Sequence, residues 1–214
     1  MTYLQVPKGS RVLDLACGKG RHSLTLAQLG YEVVGADLAP SNIAAAQQEA
    51  QNLQAQFSPK FIVHDMRKPS DEGPFSAILN LFTSFGYFDS IVENQAVCDA
   101  IACQLAPKGL LVVDFLNAPK VLQNLVLSET ILREKTTFYV KRWATDTHIF
   151  KKIEFTDQQG QDQQFTERVQ ALQLKDFESL LQDKFDIIDV FGNYQLEPYV
   201  GESSERLLLV ARLK

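Results

Sequence analysis

The 214-residue chain has little of what disulfide-rich domains and metal sites are built from. Its only cysteines are Cys17, Cys98 and Cys103, none of them in a Cys-x-x-Cys pair, and its three histidines are scattered. These residues exclude a disulfide framework and argue against a metal site. No run of about 18 apolar residues is present, and the amino terminus lacks a signal-peptide pattern. We therefore expect a cytosolic protein that neither spans nor binds a membrane.

Positive charge is also scarce, because 21 Lys and Arg stand against 26 Asp and Glu, for a formal net charge of −5. This balance argues against nucleic acid as a partner, since phosphate backbones need clustered cations. Local basic segments occur at 141–142 and 151–152. They favour either attraction of an anionic substrate or protection of an exposed strand edge.

Short apolar segments alternate with amphipathic ones over the first 117 residues, which predicts parallel strands joined by helices. The predicted strands cover residues 11–16, 31–36, 60–64, 75–80 and 110–115. The predicted helices cover residues 21–29, 41–53 and 91–105. Ser41 follows a proline and is the predicted cap of the second helix.

The pattern changes after residue 127. Residues 129–140, 147–155 and 163–172 have the Thr, Val, Ile and aromatic content of strands with no helix between them. They predict an antiparallel insertion over 128–170, which we expect to be a substrate lid or a dimer surface. A helix at 175–183 and strands at 185–191 and 206–213 complete the main domain, which comprises 1–127 and 171–214.

The strongest motif is Asp14-Leu-Ala-Cys-Gly18-Lys-Gly20, an acid in the first strand followed by a Gly-x-Gly turn and a helix. Glycines let a ligand approach the backbone, and the first N–H groups of the helix are free to meet it. By itself this turn is weak evidence, because many α/β proteins turn tightly between a strand and a helix.

Further polar side chains follow the next three predicted strands. Asp37 ends the second strand, about 20 residues after the motif begins, where an acid binds ribose hydroxyls in nucleotide-binding folds. Asp65 follows the third strand, and Asn80 ends the fourth. Ligands bind beyond the carboxyl ends of parallel strands, so these residues predict a nucleotide-like ligand.

Two kinds of nucleotide cofactor fit such a site. A nicotinamide dinucleotide prefers Gly-x-Gly-x-x-Gly, but Ser23 occupies the place of the third glycine. Asp14 also lies inside the first strand. An acid-lined pocket is better suited to a ligand that carries an amine and a sulfonium than to a pyrophosphate.

The segment VLDLACGKGRHSLTLAQLGYEVVGADLAPSNI resembles motif I through the second strand of class I S-adenosylmethionine-dependent methyltransferases of the bacterial, small-molecule type. HDMRKP and NLFTSFGYF resemble later motifs, and the likeness is specific over about residues 8–117. It implies an α/β, Rossmann-like fold, with a seven-stranded, mostly parallel sheet and an antiparallel last strand. It also implies S-adenosylmethionine as cofactor and methyl transfer to nitrogen or oxygen of a small molecule.

The resemblance assigns roles to individual residues as well. Asp14 would orient the methionine end of the cofactor, Asp37 would bind the ribose hydroxyls, and Asp65 would accept a hydrogen bond from the adenine amino group. The implied cofactor-binding residues are Asp14, Ala16, Gly18, Gly20, Arg21, Asp37, Leu38, Asp65, Met66, Asn80 and Leu81.

Aromatic residues follow the fourth strand, beside the expected position of the methyl group. Phe82, Phe85 and Tyr87, together with Tyr194, are candidates for the wall of the substrate pocket. Aromatic faces can stabilise a sulfonium by roughly 0.5–2 kcal/mol each. No general base can be identified, so the catalytic residue stays unassigned.

Three hypotheses follow from the sequence. The first is a methyltransferase, the second a module that binds S-adenosylmethionine without transferring its methyl group, and the third an NAD(P)-dependent oxidoreductase. A homodimer is a further expectation. Only about ten residues precede the first strand, so we also expect an unusually open cofactor site.

Overall fold

The computed structural model describes all 214 residues, which form eleven strands and five helices. In chain order these elements are β1 Arg11–Leu15, α1 Arg21–Gln28, β2 Glu32–Asp37, α2 Pro40–Ala50, β3 Lys60–Val63, β4 Phe75–Asn80, α3 Ile91–Gln104, β5 Leu105–Leu116, α4 Ala118–Gln123, β6 Ser128–Arg133, β7 Thr136–Ala144, β8 His148–Thr156, β9 Asp162–Gln170, α5 Leu174–Leu181, β10 Phe185–Phe191 and β11 Arg206–Leu213. None of these helices is both long and apolar enough to cross a membrane.

Seven strands form one sheet in the order β10-β11-β5-β4-β1-β2-β3. β11 is antiparallel to both of its neighbours, whereas the pairs among β1 to β5 are parallel. The predicted fold class is therefore confirmed. The chain runs outward from β1 to β3 and then returns to β4 beside β1, which opens a crevice beyond the carboxyl ends of these strands.

The main hydrophobic core lies on the face of the sheet that α3 and α5 cover. Its largest buried side chains include Phe75, Phe115 and Phe177, each at most 1% exposed. α3 begins at a capping box in which Ser90 and Glu93 satisfy each other's backbone N–H groups. This helix and the sheet give the loops at the carboxyl edge a rigid support.

The other four strands form a separate antiparallel sheet in the order β6-β7-β8-β9. It joins the main domain where the Gln170 backbone N–H donates to the Gly86 carbonyl at 2.8 Å. Val169 packs against the main core beside this bond. One end of the insertion is thus fixed to the loop that follows β4.

The insertion differs from its prediction, because the single strand expected at 129–140 is two strands, β6 and β7. Glu134, with φ of 54°, turns the chain between them, so the sheet has four strands and not three. The short helix α4 also lacked a prediction. Proline at its first turn supplies a preset φ, a signal that the sequence interpretation overlooked.

Helix α2 and strand β5 also have different boundaries from those predicted. α2 begins at Pro40, and its cap position is Ala39 with no side-chain hydrogen bond, so the cap predicted at Ser41 is wrong. The helix ends at Ala50 and not at residue 53. β5 begins at Leu105, because the Pro-Lys-Gly turn expected to precede it is an irregularity inside the strand pairing.

Candidate functional site

The loop between β1 and α1 has an unusual backbone with three left-handed residues. Ala16, Gly18 and Gly20 have φ of 61°, 56° and 79°. A Cβ at Gly20 would lie 2.8 Å from the Phe61 ring, so only glycine fits there. A Cβ at Gly18 would meet no atom within 4 Å, because this side of the loop faces an open cleft.

Asp14 lies beneath this loop and not in the cleft, since it is only 2% exposed. The Ser23 hydroxyl, in the first turn of α1, donates to Asp14 Oδ2 at 2.6 Å. Burial raises the pKa of Asp14, and the hydrogen bond from Ser23 opposes that shift. The pair fixes the end of β1 to the start of α1 and so positions the glycine loop.

Asp37 connects the glycine loop to the end of β2. Its Oδ2 accepts from the Gly18 backbone N–H at 2.9 Å. Its Oδ1 accepts from the Ala39 N–H at 2.9 Å and from Asn42 Nδ2 at 3.0 Å. A carboxylate oxygen has two lone pairs, so Oδ2 can accept one more hydrogen bond.

Asp65, just beyond β3, is held by Arg67. The Arg67 Nε donates to Asp65 Oδ1 at 3.0 Å and its Nη2 to Oδ2 at 2.7 Å. These hydrogen bonds lower the pKa of Asp65 to about 2. Arg67 also pairs with Glu93 at 2.7 Å, and its guanidinium lies 4.7 Å from the centre of the Phe88 ring. The end of β3 is thereby connected to the start of α3.

We expect the Asp65 carboxyl to titrate with a midpoint near 2, and the substitution Arg67→Met to raise that midpoint towards about 3.9, the value of an unpaired Asp. Since the folded-state pKa is the lower one, the pair stabilises the protein fully above pH of about 4 and loses this effect as the pH falls towards 2. Carbon-detected NMR of the carboxyl group measures the midpoint. Lys68→Met is the comparison, because Lys68 makes the smallest contribution to the lowered pKa, and it should raise the midpoint much less than Arg67→Met does. A wild-type midpoint near 4 would contradict the ion pair.

These elements enclose a cleft of about 450 Å³ at the carboxyl ends of β1, β2 and β3. Its lining residues are Ala16, Gly18, Asp37, Leu38, Asn42, His64, Asp65, Met66, Ser84, Tyr87 and Phe88. The structure thus brings seven sequence-predicted site residues together here, from three strand ends and the loop after β4. Asn42 and Ser84 were missed, because isolated polar residues in helices and loops carry no spacing signal.

The turn after β4 has two consecutive left-handed residues that are not glycine. Phe82 and Thr83 have φ of 58° and 65°. The Phe82 N–H donates to the Asp114 carboxylate at 3.0 Å, and the Thr83 N–H donates to the Asp114 carbonyl at 2.8 Å. Strained backbone of this kind persists only where surrounding contacts enforce it. Here Asp114 supplies both contacts.

Asp114, near the carboxyl end of β5, is the buried centre of this turn, and it is 1% exposed. Arg206 at the start of β11 donates from Nε to Asp114 Oδ1 at 2.8 Å. The Tyr194 hydroxyl donates to Asp114 Oδ2 at 3.0 Å. Asp114 was missed although it is an acid near a strand end, the same signal that identified Asp37.

A second cavity, of about 640 Å³, lies on the other side of this turn. Its lining residues are Met1, Thr2, Tyr3, Leu4, His22, Thr25, Leu26, Leu29, Leu79, Leu81, Phe82, Val112, Asp114, Phe191, Tyr194, Leu196, Leu208 and Val210. The Phe82 ring lies between two of these residues, with its centre 4.9 Å from that of His22 and 6.1 Å from that of Tyr194.

The remaining predicted site residues line neither cavity. Phe85 is 1% exposed and packs against Phe177 in the main core, so it forms no pocket wall. Asn80 is fully buried and donates to the Leu15 carbonyl at 3.1 Å. Arg21 is exposed, with its guanidinium 5.2 Å from the centre of the Phe82 ring.

The basic segments of the insertion are largely neutralised by neighbouring acids. Arg142 pairs with Glu129, Lys151 with Glu167 at 3.2 Å, and Lys152 with Glu154 at 2.9 Å. The structure therefore gives little support to an anion-attracting surface at this position. Exposed pairs of this kind contribute little to stability.

A model of the methyltransferase domain family matches residues 7–167, which is more than half of the chain. The chain belongs to the methyltransferase domain family. The family resemblance predicted from the glycine loop and the strand-end acids is thus confirmed. The methyltransferase domain carries its motif I acid and glycines at β1 and the loop that follows it.

Individual proteins similar to this methyltransferase domain differ in their acceptors. It is 32% identical over 110 residues to the dTDP-3-amino-3,6-dideoxy-alpha-D-glucopyranose N,N-dimethyltransferase of Streptomyces fradiae, covering 50% of this chain and 40% of that protein. This chain is also 32% identical over 129 residues to the ubiquinone biosynthesis O-methyltransferase of Psychrobacter cryohalolentis. The match covers 58% of this chain and 49% of that protein. The chain thus spans less than half the length of these curated relatives.

Solved structures share the fold over almost the whole chain. The S-adenosylmethionine-dependent methyltransferase of Clostridium acetobutylicum superimposes with a TM-score of 0.85 over 96% of this chain and 84% of that one, at 18% identity. CalS10 of Micromonospora echinaspora is an amino pentose methyltransferase solved with S-adenosylmethionine bound. It superimposes with a TM-score of 0.73 over 97% of this chain and 85% of that one, at 20% identity.

Proposed function

We propose that this chain binds S-adenosylmethionine in the 450 Å³ cleft and transfers its methyl group to a nitrogen or oxygen atom of a small molecule. The observation that carries the proposal is the convergence of Asp37, Asp65 and the open side of Gly18 in one cleft. When bound, S-adenosylmethionine supplies a methyl carbon on a positively charged sulfur, which leaves with the C–S electron pair as the acceptor's lone pair forms the new bond.

The chemistry of the lining residues fits this cofactor. Asp37 Oδ2 has a free lone pair for a ribose hydroxyl, and Leu38, which is 64% exposed, offers an apolar surface to an adenine ring. Met66 lies in the same cleft and can contact the ring as well. Because Gly18 has no side chain, the extended part of the ligand can lie against the backbone.

The same cleft is poorly suited to a dinucleotide pyrophosphate. No Lys or Arg lines it, and the cation next to it, Arg67, is already paired with Asp65 and Glu93. Ser23 occupies the place of the third glycine and is committed to Asp14. These contacts support S-adenosylmethionine over NAD(P) as the ligand of the cleft.

The residues of the chain contribute binding, orientation and exclusion of water. The Asp14–Ser23 and Asp37–Gly18 hydrogen bonds hold the loop that positions the ligand, and placing two reactants in line can supply several kcal/mol. The Phe82 ring stacks near His22 and Tyr194 in the wall of the larger cavity. An amine acceptor that has lost its proton needs no strong base, whereas a hydroxyl does.

A methyl-transfer assay tests the proposal. The protein is incubated with methyl-labelled S-adenosylmethionine and a panel of amines, phenols and carboxylic acids, and labelled products are separated by mass. We expect a labelled amine or ether product, together with S-adenosylhomocysteine. Cofactor binding without any product from the panel would instead favour the non-transferring module. The cytosolic location and the homodimer expected from the sequence stay predictions.

A further inference from the structure

The 640 Å³ cavity has apolar walls on two sides. One wall is the sheet, where Leu79, Val112 and Val210 extend from β4, β5 and β11. Helix α1 and the residue that follows it supply another wall, with the exposed residues Thr25 and Leu29. Fourteen of the eighteen lining residues are hydrophobic. A ligand with a flat apolar body fits such walls, since burial of apolar surface is the main favourable contribution they can make.

The polar end of the cavity is built around Asp114, whose own hydrogen-bonding capacity is used up. Its Oδ1 accepts from Arg206, and its Oδ2 accepts from the Phe82 N–H and the Tyr194 hydroxyl. The Arg206 guanidinium, with Nη2 2.6 Å from Oδ1, balances the negative charge. Asp114 thus presents no free negative charge to a ligand.

On the Asp114 side of the Phe82 ring, Tyr194 is therefore the polar side chain left to a ligand, whereas His22 lies on the other side of that ring. Its proton is committed to Asp114, so its oxygen accepts hydrogen bonds and offers no donor. Tyr194 is 55% exposed, which leaves that oxygen accessible. The arrangement suits an amine or hydroxyl that donates a hydrogen bond and disfavours a carboxylate or phosphate.

The loop from Leu81 to Phe88 borders both this cavity and the cofactor cleft. Leu81 and Phe82 line the apolar cavity, whereas Ser84 and Tyr87 line the cleft. The strained turn at Phe82 directs its ring between His22 and Tyr194, which both line the apolar cavity. A ligand in each cavity would therefore contact the same short loop.

We propose that the apolar cavity binds the methyl acceptor, and that this acceptor has an aromatic or similarly flat apolar body with an amine or hydroxyl head that donates to Tyr194 Oη. This inference rests on the proposed function and names the substrate class of that site. Asp114 and Arg206 act as positioning residues, because they hold Tyr194 and the Phe82 turn without contacting the acceptor themselves.

The experiment measures the binding of three matched probes by ligand-detected NMR titration: 4-methylphenol, 4-methylbenzylamine and 4-methylbenzoate. Thr25→Trp fills the cavity from an exposed helix position. Gln28→Trp is the matched control, because Gln28 is an exposed residue on the same helix that does not line the cavity. Tyr194→Phe removes the head-group acceptor. Cofactor binding by each variant is measured separately by calorimetry.

We expect the phenol or the amine to bind with a Kd of about 1 mM and the benzoate at least about tenfold more weakly. Thr25→Trp should raise the Kd of the probe that binds at least about tenfold. Tyr194→Phe should raise it about fivefold, which is the effect of one lost hydrogen bond. Gln28→Trp should leave its Kd unchanged. S-adenosylmethionine affinity should stay unchanged in all three variants.

Three results would overturn the inference. One is the absence of binding by both the phenol and the amine, and another is probe binding that Thr25→Trp leaves intact. The third is a wild-type dimer, seen by sedimentation, that Thr25→Trp dissociates, because the cavity would then be an interface between two copies. Loss of S-adenosylmethionine binding by the wild type would contradict the proposed function alone, since probe binding in the cavity is measured independently.

Discussion

Gly20→Ala is expected to lower the free energy of unfolding by about 3 kcal/mol. The new Cβ would lie 2.8 Å from Phe61 Cε1 and 2.9 Å from the Ala46 Cβ. Both neighbours are buried, Phe61 at 7% exposure and Ala46 at 0%, so neither can move aside freely. The left-handed φ of 79° adds a further cost for any residue with a side chain.

Gly18→Ala is the matched control for this prediction. Gly18 is also left-handed, with φ of 56°, but a Cβ added there would meet no atom within 4 Å on the cleft side. The free energy of unfolding of Gly18→Ala should therefore fall by only about 1 kcal/mol, which is the cost of the backbone conformation alone. Urea denaturation measures both variants. Equal losses of unfolding free energy in the two variants would contradict the close packing of Gly20 against Phe61. Adding Phe61→Leu to Gly20→Ala should restore part of the stability.

Asp37→Ala is expected to weaken S-adenosylmethionine binding about 30-fold, or about 2 kcal/mol. The substitution removes the carboxylate proposed to accept from the ribose hydroxyls. It also releases the Gly18 N–H, which Asp37 Oδ2 holds at 2.9 Å. Both effects act on the same ligand, so the loss should exceed that of one neutral hydrogen bond.

Asn42→Ala separates the two roles of Asp37. Asn42 donates to Asp37 Oδ1 at 3.0 Å and lines the cleft. Its substitution leaves Asp37 Oδ2 and the hydrogen bond from the Gly18 N–H in place. We expect its affinity for S-adenosylmethionine, measured by calorimetry, to stay within about threefold of the wild type. If both variants bind as tightly as the wild type, Asp37 does not contact the ligand.

Much of the sheet and of the cofactor cleft could be predicted because the signals are local. Each parallel strand is a short apolar run; Asp37 ends the second of them, and Asp65 lies two residues beyond the third. Parallel topology then places their carboxyl ends at one edge. Ala16, which the resemblance assigns to the cofactor site, adopts a left-handed φ of 61° in the glycine loop and lines the cleft.

The second cavity could not be predicted, because its polar end joins residues far apart in sequence. Asp114 is 80 residues from Tyr194 and 92 from Arg206. Only the pairing of β11 with β5 brings Arg206 to the end of β5. No spacing rule in a single sequence contains that contact.

The aromatic run after β4 shows a different limit of sequence interpretation. Phe82 and Phe85 are three residues apart and were assigned the same role, yet Phe82 is 52% exposed and Phe85 is 1% exposed. The strained turn held by Asp114 directs Phe82 outward, while Phe85 packs into the core. Composition identifies such a run but does not say which ring faces the ligand.

Calorimetric titration of the wild-type protein with S-adenosylmethionine tests the central claim most directly. The cleft formed by Gly18, Asp37 and Asp65 predicts one binding site per chain with a Kd of about 10 µM, whereas NADH should not bind. Absence of S-adenosylmethionine binding at about 1 mM, in a protein that is folded by circular dichroism, would contradict the account.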